Sequence, residues 1–216
     1  MVQKLSGSKA VKKTWIAVNI FVVSLIFITV SYVCWDVNLA YYFQRMNPSY
    51  RNIADVITGF GVATWYIAGS LLSYIFFRLI YKNKFNALRS LFVFISLIFA
   101  GIFLHLLKWV AGRHRPIDLF QHGYFGFDFF GVGYELTSFP SGHAQAVFTV
   151  ATALVILFPR WRVPLFLYAT VVAASRIILT SHYLSDVIAG AAVGIICTLA
   201  VKYLFDRKQI KLNTET

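Results

Sequence analysis

The chain has 216 residues, 59% of them hydrophobic and only 13% charged, a balance that excludes an ordinary soluble globular domain. A net charge of +12 would suggest a nucleic-acid partner in a soluble protein. Here most Lys and Arg flank apolar runs, where membrane topology requires them, so no nucleic-acid partner is expected. Cys34 and Cys197 lie in different apolar runs without metal-ligand spacing; both read as packing residues, with neither a disulfide nor a metal site expected.

In chain order, Lys4, Lys9, Lys12 and Lys13 precede an apolar run from Trp15 to Trp35. Such a run is long enough to cross a bilayer, and no small-residue cleavage site follows it, so it reads as a first transmembrane helix. Asp36 to Asp55 is polar and aromatic, broken at Asn47-Pro48, and is expected to lie along the membrane surface. The second span is expected over Ile57–Ile80 and, after the basic loop of Lys82, Lys84 and Arg89, the third over Leu91–Val110. Ala111 to Pro140 is rich in glycine and aromatic residues, including Tyr124, Phe125, Phe127, Phe129, Phe130 and Tyr134. Rings of this kind suit the membrane interface. The fourth span runs from Ser141 to Phe158, the fifth from Val163 to Leu179 and the sixth from Tyr183 to Phe205, followed by a basic tail.

The expected architecture is therefore all-α: one six-helix membrane domain over residues 1–216, with both termini on one side. With that side cytoplasmic, most of the 20 Lys and Arg fall inside, as the positive-inside rule asks. Lys108, Arg113, Arg115 and Arg176 run against it, beside the outer mouths of spans three and five.

Three clusters converge on that outer face: Lys108 with Arg115-Pro116, then Pro140-Ser141-Gly142-His143, then Ser175-Arg176 with His182 and Asp186. Their residue types suit a phosphate. Arg115 and Arg176 offer planar forks of donors and Lys108 a point charge. Ser141 and Gly142 open a helix whose free N–H groups and positive dipole end would face an anion. Phosphoryl transfer needs mainly positioning and charge neutralisation, together with a nucleophile and an acid for the leaving oxygen. His182, four residues before Asp186, is the better nucleophile if the carboxylate fixes its tautomer, which leaves His143 as general acid. Thr180 or Ser181 would cap the helix that follows. Taken singly, each cluster has a plain reading: a snorkelling cation, a common helix start, a satisfied histidine. Together, in this order and on one face, they point to a site.

The order Lys108-x6-Arg115-Pro116, Pro140-Ser141-Gly142-His143 and Ser175-Arg176-x5-His182-x3-Asp186 resembles the three-part signature of the type 2 phosphatidic acid phosphatase family. That family includes membrane lipid phosphatases and is similar at its active site to soluble bacterial acid phosphatases and vanadium haloperoxidases. All signature positions are filled, over a motif core of residues 108–186. The resemblance implies a six-helix core, an outward-facing site and dephosphorylation without a metal or other cofactor. It also implies His182 as nucleophile, Asp186 as its partner and His143 as general acid, with Lys108, Arg115, Ser141, Gly142, His143 and Arg176 binding phosphate.

The expected function is hydrolysis of a phosphomonoester or pyrophosphate on a membrane lipid, such as undecaprenyl pyrophosphate, phosphatidylglycerophosphate, phosphatidic acid or lipid A. The expected partners are that lipid phosphate and the surrounding membrane lipids, with no obligate protein partner, in a bacterial inner membrane with the site facing outward. A lipid phosphotransferase using the same site is the near alternative. An anion transporter is the distant one, and no inverted repeat supports it. Of the remaining polar residues, His105 is expected to hydrogen-bond within the bundle, Arg113 and His114 to touch a headgroup, His122 to lie in a loop, and Tyr124–Tyr134 to form a lid or lipid-facing rim.

Overall fold

The computed structural model describes residues 2–212, with side chains described at Trp15 and from Val18 onward. The side chains of Lys4, Lys9, Lys12 and Lys13 lie outside the described residues. Among those described, the chain is all-α with no strand: α1 (Val2–Cys34), α2 (Asp36–Gln44), α3 (Pro48–Gly59), α4 (Ala63–Ile75), α5 (Lys84–Ala111), α6 (Pro116–His122), α7 (Gly142–Leu157), α8 (Arg162–Ile178) and α9 (Leu184–Arg207). Four stretches are long and apolar enough to cross a membrane: Pro48–Ile80, α5, Pro159–Ile178 and α9. A fifth arises if α1 and α2, bent by 60° between Cys34 and Asp36, count as one.

The differences from expectation have local causes. The polar stretch after Asp36 is helical, because Asn47 caps α3 by accepting the Ser49 N–H and Pro48 supplies the fixed first turn. The second span therefore begins at Pro48 rather than Ile57. It is interrupted between Gly59 and Ala63, then ends in a π-helical turn, Phe76–Ile80. The fourth apolar run forms a helix of 16 residues, shorter than a lipid-facing span needs. Most of its side chains face protein, since α5, α8 and α9 enclose it.

Large apolar side chains on α1, α4, α5 and α8 point outward, among them Phe21, Ile26, Leu72, Ile102, Val163 and Leu167, as expected where the solvent is lipid. Lipid supplies no hydrophobic drive between helices, so they associate through small residues that allow close approach. The α7–α8–α9 core is built this way, from Ala144, Val147, Ala151, Ala169, Val172, Ala173 and Val187. Gly190 and Gly194 let α9 lie directly on the α7 backbone. A Cβ on Gly190 would stand 2.3 Å from the Ser141 carbonyl oxygen, and one on Gly194 would stand 2.6 Å from that of Gln145. This contact sets the distance between the two histidine-bearing segments. At the other end of the bundle, Phe92, Leu157, Val201, Phe205 and Leu212 form a second cluster. A groove of about 550 Å³ opens beside it between α4, α5 and α7, away from the residues described next.

Candidate active site

The C-termini of α5 and α8 and the N-termini of α7 and α9 meet at one end of the bundle, and every sequence-predicted site residue lies there. α5 stops at Gly112, whose left-handed φ of 54° turns the chain out of the helix. Arg115 follows in extended conformation, one residue before Pro116 opens α6. Ser141 is the N-cap position of α7, and its N–H donates to the Asp186 carbonyl (3.0 Å), which ties the start of α7 to the first turn of α9. The α8–α9 turn closes when Ser181 N–H and His182 N–H both donate to the Arg176 carbonyl. That turn holds Arg176 and His182 side by side.

Lys108 Nζ and Arg115 Nη2 both donate to the Thr137 carbonyl, so two cations share one neutral acceptor. Arg115 also donates to the Tyr134 carbonyl (2.9 Å) and the Ser181 carbonyl (3.1 Å). Arg176 donates to Thr58 Oγ1 at 2.7 Å. Among the described residues, none of the three lies within ion-pair distance of a carboxylate. All three are close enough for their charges to act on His143. Concentrated positive charge with only neutral partners is a site for an anion. At the same end of the bundle, Ser141 Oγ is fully buried and without a protein hydrogen-bond partner, and the first-turn N–H groups of α7 have no acceptor within their own helix. Ser175, by contrast, turns its hydroxyl back onto the Val172 carbonyl (2.6 Å) and faces its own helix.

His182 is almost fully buried, and burial pushes its pKa down to about 3, against the opposing influence of Asp186. The ring is thus neutral at physiological pH, as a nucleophile must be. Its Nδ1 lies 3.6 Å from Asp186 Oδ2, an electrostatic contact longer than a hydrogen bond. Nε2 is consequently the nitrogen turned away from Asp186. The Asp186 carboxylate accepts instead from Ser138 Oγ (2.6 Å), from the Tyr183 N–H (2.8 Å) and from Arg113. Tyr183, and neither Thr180 nor Ser181, occupies the N-cap position of α9.

Several expectations for neighbouring residues need correction. Arg113 touches no headgroup: it is fully buried and ion-paired to Asp186 and, at 2.8 Å, to Asp36. From the expected rim, Phe125 turns partly inward and Phe127, though 38% exposed, lays its ring against the Arg113 guanidinium; with Tyr32, Phe139 and Tyr183 they surround it. Tyr124, Phe129, Phe130 and Tyr134 remain exposed. His114 and His122 both contact Asp118, His122 at 2.7 Å from the last turn of α6 rather than from a loop. His105 is exposed on the outside of α5, not engaged within the bundle. Three groups escaped the sequence reading: Asp36, Ser138 and Thr58, the last two because a lone neutral hydroxyl carries no motif.

Comparison with known proteins agrees with the geometry. The sequence profile of the PAP2 superfamily matches residues 89–210. A protein named lipid A 1-phosphatase from Rhizobium johnstonii is 34% identical over 73% of this chain and 68% of its own length. One of the same name from Rhizobium etli is 34% identical over 67% and 66%. The matched region thus spans about two thirds of each relative. Two crystal structures share the fold: a PAP2-type phosphatidylglycerolphosphate phosphatase from Bacillus subtilis (TM-score 0.60, 19% identity, 90% of this chain and 97% of that one) and Aquifex aeolicus LpxE (0.59, 23%, 78% and 94%). With a profile matching more than half of its length across all three clusters, the chain belongs to the PAP2 superfamily.

Proposed function

We propose that this membrane lipid phosphatase removes the 1-phosphate of lipid A, or a phosphate of closely similar glycolipid chemistry, through a phosphohistidine formed on His182. The observation that carries the reading is the gathering of Lys108, Arg115 and Arg176 beside two histidines with, among the described residues, no carboxylate at ion-pair distance from any of the three. Such a cradle suits the three equatorial oxygens of a phosphoryl group in flight. The choice of lipid A rests on the names of the two relatives.

In the proposed reaction the substrate phosphate sits among Lys108, Arg115, Arg176, Ser141 and the N–H groups that open α7. His182 Nε2 forms a bond to phosphorus while the bond to the lipid oxygen breaks. His143 gives its proton to that departing oxygen. It then takes a proton from water as the water attacks the phosphohistidine, which releases inorganic phosphate and restores both rings. Asp186, on the Nδ1 side, stabilises the positive charge the ring carries between the two steps. The exposed rings of Tyr124, Phe129, Phe130 and Tyr134 form the rim against which the lipid lies.

Six spans with cytoplasmic termini complete the reading. It is supported by the basic loops around Lys84 and Arg160, at the end of the bundle opposite the site, and by α7 being enclosed enough to cross without full bilayer length. Cysteines introduced singly at positions 84, 160, 122 and 128, with Cys34 and Cys197 replaced, test it. An impermeant reagent applied to intact cells should label only 122 and 128; labelling at 84 overturns the orientation.

A panel of lipid A 1-phosphate, lipid A 4′-phosphate, phosphatidic acid, phosphatidylglycerophosphate and undecaprenyl pyrophosphate in detergent, read as free inorganic phosphate, tests the substrate. The 1-phosphate should give the highest kcat/KM. Preference for a glycerolipid or prenyl substrate would overturn the choice of lipid, and transfer to a second lipid without free phosphate would make the enzyme a phosphotransferase.

A further inference from the structure

Asp36 and Arg113 are fully buried charges to which the reaction above gives no part. Asp36 stands at the bend between α1 and α2, outside the residues matched by the family profile. Its Oδ1 accepts the Ser185 N–H at 3.0 Å, and its Oδ2 accepts from Arg113 Nη2 at 2.8 Å and from the Ser185 hydroxyl. Arg113 Nη1 donates to Ser185 Oγ at 2.6 Å and to Asp186 Oδ1. The chain of contacts is unbroken from Asp36 through Arg113 to Asp186, and ends 3.6 Å from His182 Nδ1.

The charges along this chain read negative, positive, negative. Five aromatic rings enclose the central guanidinium, so water screens the charges little. An arginine paired only with Asp186 would cancel the carboxylate that His182 depends on. With Asp36 on its far side, one net negative charge remains beside the imidazole. We propose that Asp36 is a positioning residue that acts through Arg113: by neutralising the guanidinium it leaves Asp186 free to stabilise the cationic ring of phosphorylated His182. Arg113 orients Asp186, and Asp36 restores the charge that this orientation would otherwise remove. The proposal rests on the assignment of His182 as nucleophile.

A purely structural tie between the N-terminal helices and the catalytic core would show the same contacts, so the test must separate charge from shape. Asp36→Asn keeps the shape and, through its one amide oxygen, the acceptor for the Ser185 N–H, but it removes the charge and puts an N–H donor where Oδ2 stood. Asp36→Glu keeps the charge. Asp36→Asn combined with Arg113→Gln removes both charges and returns the net value beside His182 to that of the wild type. Each variant is purified in detergent, checked for monodispersity and thermal unfolding, and assayed for kcat and KM on the lipid phosphate, alongside wild type and His182→Ala.

Asp36→Asn should lose roughly 10- to 100-fold in kcat, the range over which groups that orient a working histidine count at metal centres. KM should stay within about twofold, because Lys108, Arg115 and Arg176 are untouched. The double variant should recover at least about tenfold over Asp36→Asn, a coupling that independent structural losses would not produce. Full kcat in folded Asp36→Asn, or a folded double variant no better than it, overturns the proposal. If the double variant does not fold, Asp36→Glu decides: it must exceed Asp36→Asn in kcat, and equal rates overturn the proposal. Activity retained by His182→Ala would instead refute the nucleophile assignment, whatever the Asp36 variants do.

Discussion

Replacing Gly190 by alanine tests how the packing of α7 on α9 governs catalysis. The added Cβ would stand 2.3 Å from the Ser141 carbonyl oxygen, 3.1 Å from Ala144 Cβ and 3.2 Å from the Gln145 nitrogen. Two of these three atoms are backbone, so no side chain can rotate aside. The start of α7 must retreat by about 0.7 Å merely to bring the closest contact to 3.0 Å, below which real Cβ atoms essentially never sit. Overpacking of this kind costs about 1–3 kcal/mol. The same shift moves Ser141 and His143 relative to His182, and a misplacement of about 1 Å can cost on the order of 100-fold in rate. Gly194→Ala is the control, because its Cβ meets Gln145 and Thr149 about one turn deeper. Thermal unfolding in detergent and kcat/KM should show both variants destabilised, with the larger rate loss in Gly190→Ala. Wild-type activity and stability in Gly190→Ala, or equal rate losses in the two variants, would refute the reasoning.

Two further predictions follow from the charges of the site. His182 titrates near 3 when folded and near 6.5 when unfolded, so between those values the unfolded chain binds more protons and stability must fall as pH falls. The loss should reach roughly 2 kcal/mol at pH 5, and His182→Ala should flatten it; an unchanged pH–stability slope in that variant contradicts the burial argument. Because Lys108, Arg115 and Arg176 supply the countercharge, turnover should survive excess chelator and be inhibited by vanadate, which imitates five-coordinate phosphorus. Activity lost to a chelator and restored by one divalent ion would refute this.

The long helices were legible because most apolar runs are long and bounded by charge, and the cation cradle because its motifs are short in sequence and their order places them at one end of the bundle. What stayed hidden depends on long-range partners. Asp36 and Arg113 are 77 residues apart; the only hint was that Arg113 stood against the charge bias of its side of the membrane. The break between Gly59 and Ala63 interrupts an apolar run whose composition hardly changes, so hydropathy passes over it; the boundary at Asp36 is visible in the sequence, but the helices that continue through the polar stretch after it are not. The aromatic segment divides because Phe125 and Phe127 have a buried cation to enclose and Phe129 and Phe130 do not.

The covalent role of His182 is the central claim, and trapping the intermediate tests it most directly. Enzyme mixed with a substrate carrying radiolabelled phosphate and quenched within one turnover should hold label on protein with the acid lability of phosphohistidine. His182→Ala should hold none and turn over no substrate, whatever the leaving group. His143→Ala should still be labelled by an aryl phosphate, whose oxygen leaves without a proton. Label that persists in His182→Ala, or rescue by the aryl leaving group in that variant rather than in His143→Ala, would contradict the account.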